Sequence, residues 1–259
     1  MRKISIINLK GGVGKTITAV NMASILAKDF GQNVLVIDAD PQANATRFYG
    51  LGQDVNTVAG ILDGLCDDYD DFIYDTRQPG VWCVPASIEL IQADIASTIS
   101  GGRTKRLAGF LGAIEEDAAA MDGYEGFDMA IFDCPPSFTA ASVAAIAASD
   151  DIIIPVKVDA FALDGLTELS RQIEAVREIR PEIRVAGILI TMWHNSPAVV
   201  QGETLLRQSG FPVFRSVIRR SDKVDESTFA GQPLDEYSRY SSAGIDYRSF
   251  VSEYMEGKF

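Results

Sequence analysis

Lys10-Gly11-Gly12-Val13-Gly14-Lys15-Thr16 places two lysines, three glycines and a threonine in seven consecutive positions. These are the residue types of a turn that holds phosphate. Glycines at 11, 12 and 14 let backbone N–H groups converge on phosphate oxygens without Cβ clashes, and a helix starting behind them adds its positive N-terminal dipole. Lys15 is placed to reach the β- and γ-phosphates of a nucleoside triphosphate. Thr16, the first side chain of that helix, is placed to ligate Mg²⁺. Asp38 and Asp40 close one apolar run and Asp133 closes another. Acids at the end of buried strands beside such a loop hold the metal directly or through water, so Thr16, Asp38 and Asp133 are the magnesium candidates. Taken together, these groups point to phosphoryl transfer.

Strands and helices must bring them together. Residues 4–7 form a β-branched run that enters the glycine turn directly. Behind it Ala19, Met22, Ala23 and Leu26 fall at i, i+3, i+4 and i+7, and Gly31 is a natural stop, which predicts a helix over 18–28. Residues 33–40 and 127–133 read as buried parallel strands ending in acids, the first broken by Pro41. Further strands are expected at 81–87, 151–157, 184–192 and 211–220. Helices are expected from Ile88, over 103–121 and 140–148, through Leu163, Leu166, Leu169, Ile173 and Val176, and at the end through Tyr247, Val251 and Tyr254. Residues 50–80 read as acidic surface helix and loop. This alternation predicts an α/β fold, a doubly wound, mostly parallel sheet with helices on both faces.

The 259 residues, 47% of them hydrophobic, suffice for one large α/β core. Cys66, Cys83 and Cys134 lack C-x-x-C spacing, which argues against a zinc site or disulfide framework and suits a reducing cytoplasm. The chain enters its first strand within a few residues, leaving no room for a signal peptide, and no apolar run approaches a membrane span.

The strict pattern G-x-x-x-x-G-K-[ST] would need glycine at position 9, where Leu9 stands; the deviant form K-G-G-x-G-K-T fits throughout. Together with Asp38-Ala39-Asp40-Pro41-Gln42, Val84-Pro85-Ala86-Ser87-Ile88-Glu89-Leu90 and Asp133-Cys134-Pro135-Pro136, it makes the chain resemble the ParA type of ParA/MinD P-loop ATPases along nearly its whole length. The resemblance implies ATP and Mg²⁺ as cofactors and hydrolysis to ADP and phosphate. It implies a nucleotide cradle made of Lys10, Gly11, Gly12, Val13, Gly14, Lys15, Thr16 and Ile17. Asp40 then polarises the attacking water, and Lys10 crosses a dimer interface to the nucleotide of a second subunit. The base is expected near Met192 and near Arg219. There relatives often read Ile-Pro-Arg-Asn, whereas this chain reads Ile218-Arg219-Arg220-Ser221.

The same resemblance implies an ATP-dependent homodimer, sequence-indifferent DNA binding, stimulation by a ParB-like centromere-binding protein, and a role in plasmid or chromosome partition. A cytoplasmic protein that associates with the nucleoid when ATP-bound is expected, with residues 1–259 as one P-loop ATPase domain lacking a helix-turn-helix extension. The net charge of −13 opposes a nucleic-acid partner, but the charge is uneven. Residues 54–75 hold seven acids and no base, whereas 171–223 hold nine bases against five acids. Arg207, Arg215, Arg219, Arg220 and Lys223 are therefore the DNA-binding candidates.

Two rivals use the same nucleotide chemistry. A MinD-like membrane-cycling ATPase needs a basic amphipathic C-terminal helix. Asp246, Glu253 and Glu256 against Arg248 and Lys258 leave this one net acidic, so no membrane partner is expected. An ATP-dependent ligase of the dethiobiotin synthetase type needs a small-molecule pocket, for which no motif is present.

Overall fold

The computed structural model describes residues 1–52, 54–92, 103–120 and 126–257. The strands β1 (Arg2–Ile6), β2 (Val34–Asp38), β3 (Tyr74–Asp75), β4 (Val81–Val84), β5 (Met129–Asp133), β6 (Asp151–Lys157), β7 (Arg184–Trp193) and β8 (Val213–Arg219) lie in one sheet. Their spatial order is β3, β4, β2, β5, β1, β6, β7, β8. All neighbours pair in parallel except β3 and β4.

Alternation along the strands feeds two apolar layers. In β2, Val34 and Val36 face one layer and Leu35 and Ile37 the other, and all five residues of the strand are buried. A strand covered on both faces reads as continuously hydrophobic, which is why these runs were legible. Helices α1 (Lys15–Phe30) and α10 (Ser242–Met255) cover the first layer, while α4 (Arg106–Ala120), α5 (Ala140–Ala148) and α6 (Ala162–Arg177) cover the second. From β1 the chain crosses towards β2, whereas from β6 it moves the other way to β7 and β8. The connections reverse between these central strands, where open α/β sheets place their ligands.

Several expected boundaries shift. The first helix begins at Lys15 and ends against Gly31 (φ 65°), whose N–H reaches Ala27 O at 3.1 Å. β2 stops at Asp38, so Asp40 sits in the following turn; β4 stops at Val84, and β8 runs only from Val213 to Arg219. The helix expected from Ile88 is a turn at 88–89, helical at 90–92, and its continuation lies outside the described residues, as do Met121 and Lys258. Residues 103–105 are a 3₁₀ turn leading into α4. The 50–80 region contains α3 (Val58–Asp63) and the unanticipated antiparallel β3. Also unanticipated are α2 (Asn44–Phe48), α7 (Pro197–Gln208), α8 (Asp222–Ala230) and α9 (Leu234–Tyr237). The last two are too polar and too short for periodicity to mark them.

Helix α10 closes the outer side of β8. The Glu253 carboxylate accepts the N–H groups of Arg215 (2.7 Å) and Ser216 (2.9 Å), and Asp246 accepts that of Arg219 (2.9 Å). Beneath them the Phe250 ring meets Phe214 edge-on at 4.9 Å. Phe214 in turn presses on Gly187 of β7, where an added Cβ would lie 2.9 Å from the ring. With the ring fixed from both sides, Gly187→Ala is expected to cost about 1–3 kcal/mol. Urea unfolding should show a lower midpoint with an unchanged slope. An unchanged midpoint would mean that Phe214 can yield.

Candidate nucleotide site

The glycine turn is strung between three strands. Buried Asn8, just past β1, donates from Nδ2 to Pro155 O on β6 at 2.7 Å, and its Oδ1 accepts the Lys10 N–H at 2.9 Å. On the other side the Thr191 hydroxyl of β7 donates to Val13 O at 2.8 Å. Gly12 (φ 68°) and Gly14 (φ 90°) take left-handed backbone conformations that turn the chain over on itself. No side chain caps α1 behind them. Its first N–H groups are therefore free to meet an anion.

Lys15 is buried and donates to Lys10 O at 3.0 Å. Burial lowers its proton affinity, and the nearby charges of Asp133 and Asp40 partly offset that. Lys10 points elsewhere. Its ammonium meets Asp159, in the loop after β6, at 2.7 Å and lies 5.6 Å from the centre of the Phe161 ring, a side chain 67% exposed. That hydrogen bond holds the Asp159 carboxyl below the usual carboxylate range.

The two expected metal carboxylates differ. Asp38 and Asp133 are register partners at the ends of β2 and β5. Asp38 is fully engaged: Oδ1 accepts the Asp40 N–H (3.1 Å), and Oδ2 accepts the Thr46 N–H (2.9 Å) and hydroxyl (2.8 Å). Burial pushes Asp38 up to about 6 against the opposing pull of those Thr46 bonds. This carboxylate shapes the β2–α2 turn and stands beside Asp133 at the ends of the two strands. Asp133 is equally buried, yet among the described residues neither oxygen has a hydrogen bond of ordinary geometry. Burial and the Asp38 charge push it well up, while Thr16 and Lys15 pull the other way. A buried carboxylate without donors is costly unless a cation arrives. Thr16 with Asp133 therefore fits Mg²⁺. Among the described residues no group of three or more Asp, Glu, His or Cys forms a metal cage.

Asp40 is 6% exposed. Its Oδ1 accepts the Gln42 N–H at 2.9 Å, and the residue does not cap α2, whose N-cap is Ala43 (φ 54°). Its second oxygen makes no hydrogen bond among the described residues and remains available for a water.

Beside the glycine turn lies a cavity of about 270 Å³ whose walls include Gly14, Ile17, Met192, His194, Arg219 and Tyr247. Ile17, Met192 and Arg219 are thus brought together as expected. Met192 has φ 53°, unusual for its type, and its carbonyl lies 3.2 Å from His194 Nδ1. His194 is an exposed loop side chain on this wall. The Arg219 guanidinium, however, is turned towards Asp246.

The five DNA-binding candidates do not form the open basic surface that charge counting suggested. Arg207 pairs with Glu203 (2.9 Å), Arg219 with Asp246 (2.6 Å) and Lys223 with Glu226 (2.6 Å). Asp246 and Glu226 lie outside the stretch that was counted. Arg215 and Arg220 are exposed and make no ion pair among the described residues. Sequence reasoning also missed Asn8, Thr46, Thr191 and Asp159. Only the adjacency of Asn8 and Thr46 to the motifs gave any signal for them.

Backbone N–H groups and a lysine that converge on phosphate from the C-terminal ends of parallel strands mark the P-loop nucleoside triphosphatases, and this sheet has that arrangement. The AAA domain family matches residues 1–185. The chain is 34% identical over 258 residues to the chromosome partitioning protein ParA of Caulobacter vibrioides, covering 98% of this chain and 93% of that protein. It is equally 34% identical over 266 residues to the chromosome-partitioning ATPase Soj of Thermus thermophilus, with 98% and 96% covered. Among solved structures, cobyrinic acid a,c-diamide synthase from Mycobacterium smegmatis, with bound ATP analog and magnesium, is similar with a TM-score of 0.81 at 25% identity, over 99% of this chain and 95% of that one. The chain belongs to the ParA/Soj family of P-loop ATPases.

Proposed function

We propose that this ATPase is a nucleotide-switched partition protein: Mg·ATP joins two copies, the dimer holds DNA without regard to sequence, and a ParB-like partner triggers hydrolysis and release. The observation that carries the reading is the likeness, over 98% of the chain, to a protein named for chromosome partitioning. The nucleotide-bound form then sits on the nucleoid.

In this reading the N–H groups from Gly11 to Ile17 wrap the phosphates and Lys15 holds their charge. Thr16 and Asp133 are the residues that would hold Mg²⁺, which supplies charge neutralisation at the β- and γ-oxygens. The free oxygen of Asp40 orients a water for in-line attack, and the burial of Asp40 and Lys15 keeps bulk solvent away from it. Lys10 completes the site of the second subunit after leaving Asp159.

DNA contacts then fall first to Arg215 and Arg220, since the three paired bases contribute only by giving up their acids. Filter binding with Asp40→Ala protein across a salt series tests this. Retention is expected to require ATP, to be indifferent to sequence and to fall steeply with salt. Arg215→Glu should weaken it further. Absence of binding at low salt would sink the DNA arm. Light scattering on the same protein should show an ATP-dependent dimer that Lys10→Ala in that background lacks; equal dimerisation would remove the role in trans.

A further inference from the structure

The cavity wall opposite Met192 is the end of β8, the outermost strand on that side of the sheet, and nothing in the sheet itself holds it in place beyond β7. Two contacts do. The Arg220 N–H donates to Trp193 O at 2.8 Å, stitching the ends of β7 and β8 together. Outside them Asp246 of α10, 27 residues along the chain, takes three donors from Arg219 at once. Its Oδ2 accepts the backbone N–H (2.9 Å) and Nε–H (2.8 Å), and its Oδ1 accepts Nη2–H (2.6 Å). The Arg219 guanidinium also donates to Ser242 O at 3.3 Å. A planar fork on a carboxylate fixes orientation as well as distance.

The next residue of α10, Tyr247, lines the same cavity. Its hydroxyl lies 3.3 Å from that of Thr18 on α1, directly behind the glycine turn. Helix α10 therefore touches the phosphate end of the site through Tyr247 and the far wall through Asp246.

We propose that Arg219 and Asp246 are positioning residues that set the width of the base-binding cavity, so that affinity for the nucleoside part of the nucleotide, and not for its phosphates, depends on this ion pair. The inference rests on reading the cavity as the base site of the proposed ATPase. Arg219 lines the cavity, and its guanidinium is used to hold the wall still. Without the guanidinium fork, the end of β8 keeps the Arg220 stitch and the bond from the Arg219 N–H to Asp246, neither of which fixes the side chain that lines the cavity.

The test compares two probes by calorimetry, a non-hydrolysable Mg·ATP analogue and Mg·tripolyphosphate, which lacks the nucleoside. Arg219→Ala is expected to bind the analogue about tenfold more weakly, the size of one charge-assisted hydrogen bond, while tripolyphosphate affinity stays the same. Arg219→Lys, which keeps charge but not the fork, should fall between. In turnover the KM for ATP should rise by the same factor with kcat held. Equal losses on both probes would show a general distortion and overturn the proposal, as would an unchanged affinity for the analogue. A parent protein that binds both probes equally tightly would instead remove the base site, and the nucleotide reading with it.

Discussion

Asp40→Ala should bind Mg·ATP as tightly as the parent and yet turn over at least a hundredfold more slowly, the usual contribution of a positioned acid–base group being about 10²–10⁴. Asp40 has one oxygen spent on the Gln42 N–H and the other uncommitted, and it lies beyond the strand that carries Asp38. It is therefore fixed in place without being consumed by its own turn. The neighbouring Asp38 is a poorer candidate, because its two oxygens already accept three hydrogen bonds from Thr46 and the Asp40 N–H. Single-turnover hydrolysis with saturating nucleotide separates the two effects. Hydrolysis at the parent rate would end the water-positioning role.

Lys15→Ala should show the opposite separation. Lys15 is set among Asp133, Asp40 and the glycine turn, and its one hydrogen bond among the described residues is to Lys10 O. Burial already disfavours its charge, so the ammonium gains most when phosphate oxygens reach it. Removing one member of a buried charge pair costs about 2–5 kcal/mol, which is a loss of affinity of roughly thirtyfold or more. The fold should survive, since the alanine gives up one hydrogen bond and a desolvated charge. Nucleotide binding measured by fluorescence and a melting curve on the same sample decide it. Retained binding would place the phosphates elsewhere, while loss of the melting transition would mean that Lys15 is needed for folding.

Much of this site was readable in the sequence because its parts are local. Seven adjacent residues make the phosphate turn, and each buried strand announces its acid by the apolar run before it. What escaped depends on contacts between distant segments. Arg219 read as a DNA contact because counting charges along 171–223 cannot include Asp246, which α10 brings back against β8. Asp38 and Asp133 looked equivalent as strand-terminal acids, and only the return of Thr46 towards Asp38 separates the engaged carboxylate from the vacant one. Asp159 is one acid among many until the loop after β6 lies beside Lys10. The two-residue β3 is shorter than any pattern of alternation can register.

The way α10 meets β8 also bears on how copies of this chain can associate. A terminal strand ordinarily offers a ladder of N–H and C=O groups on which a foreign strand can add, the first step towards amorphous or fibrous aggregates. Here Glu253 and Asp246 answer the outward N–H groups of Arg215, Ser216 and Arg219 with carboxylates, which repel an incoming backbone carbonyl. At the opposite margin β3 is two residues long and offers little template. With both margins blunted, strand addition is a poor route to self-association. For the proposed cycle of joined and separate copies, this guards against joining irreversibly.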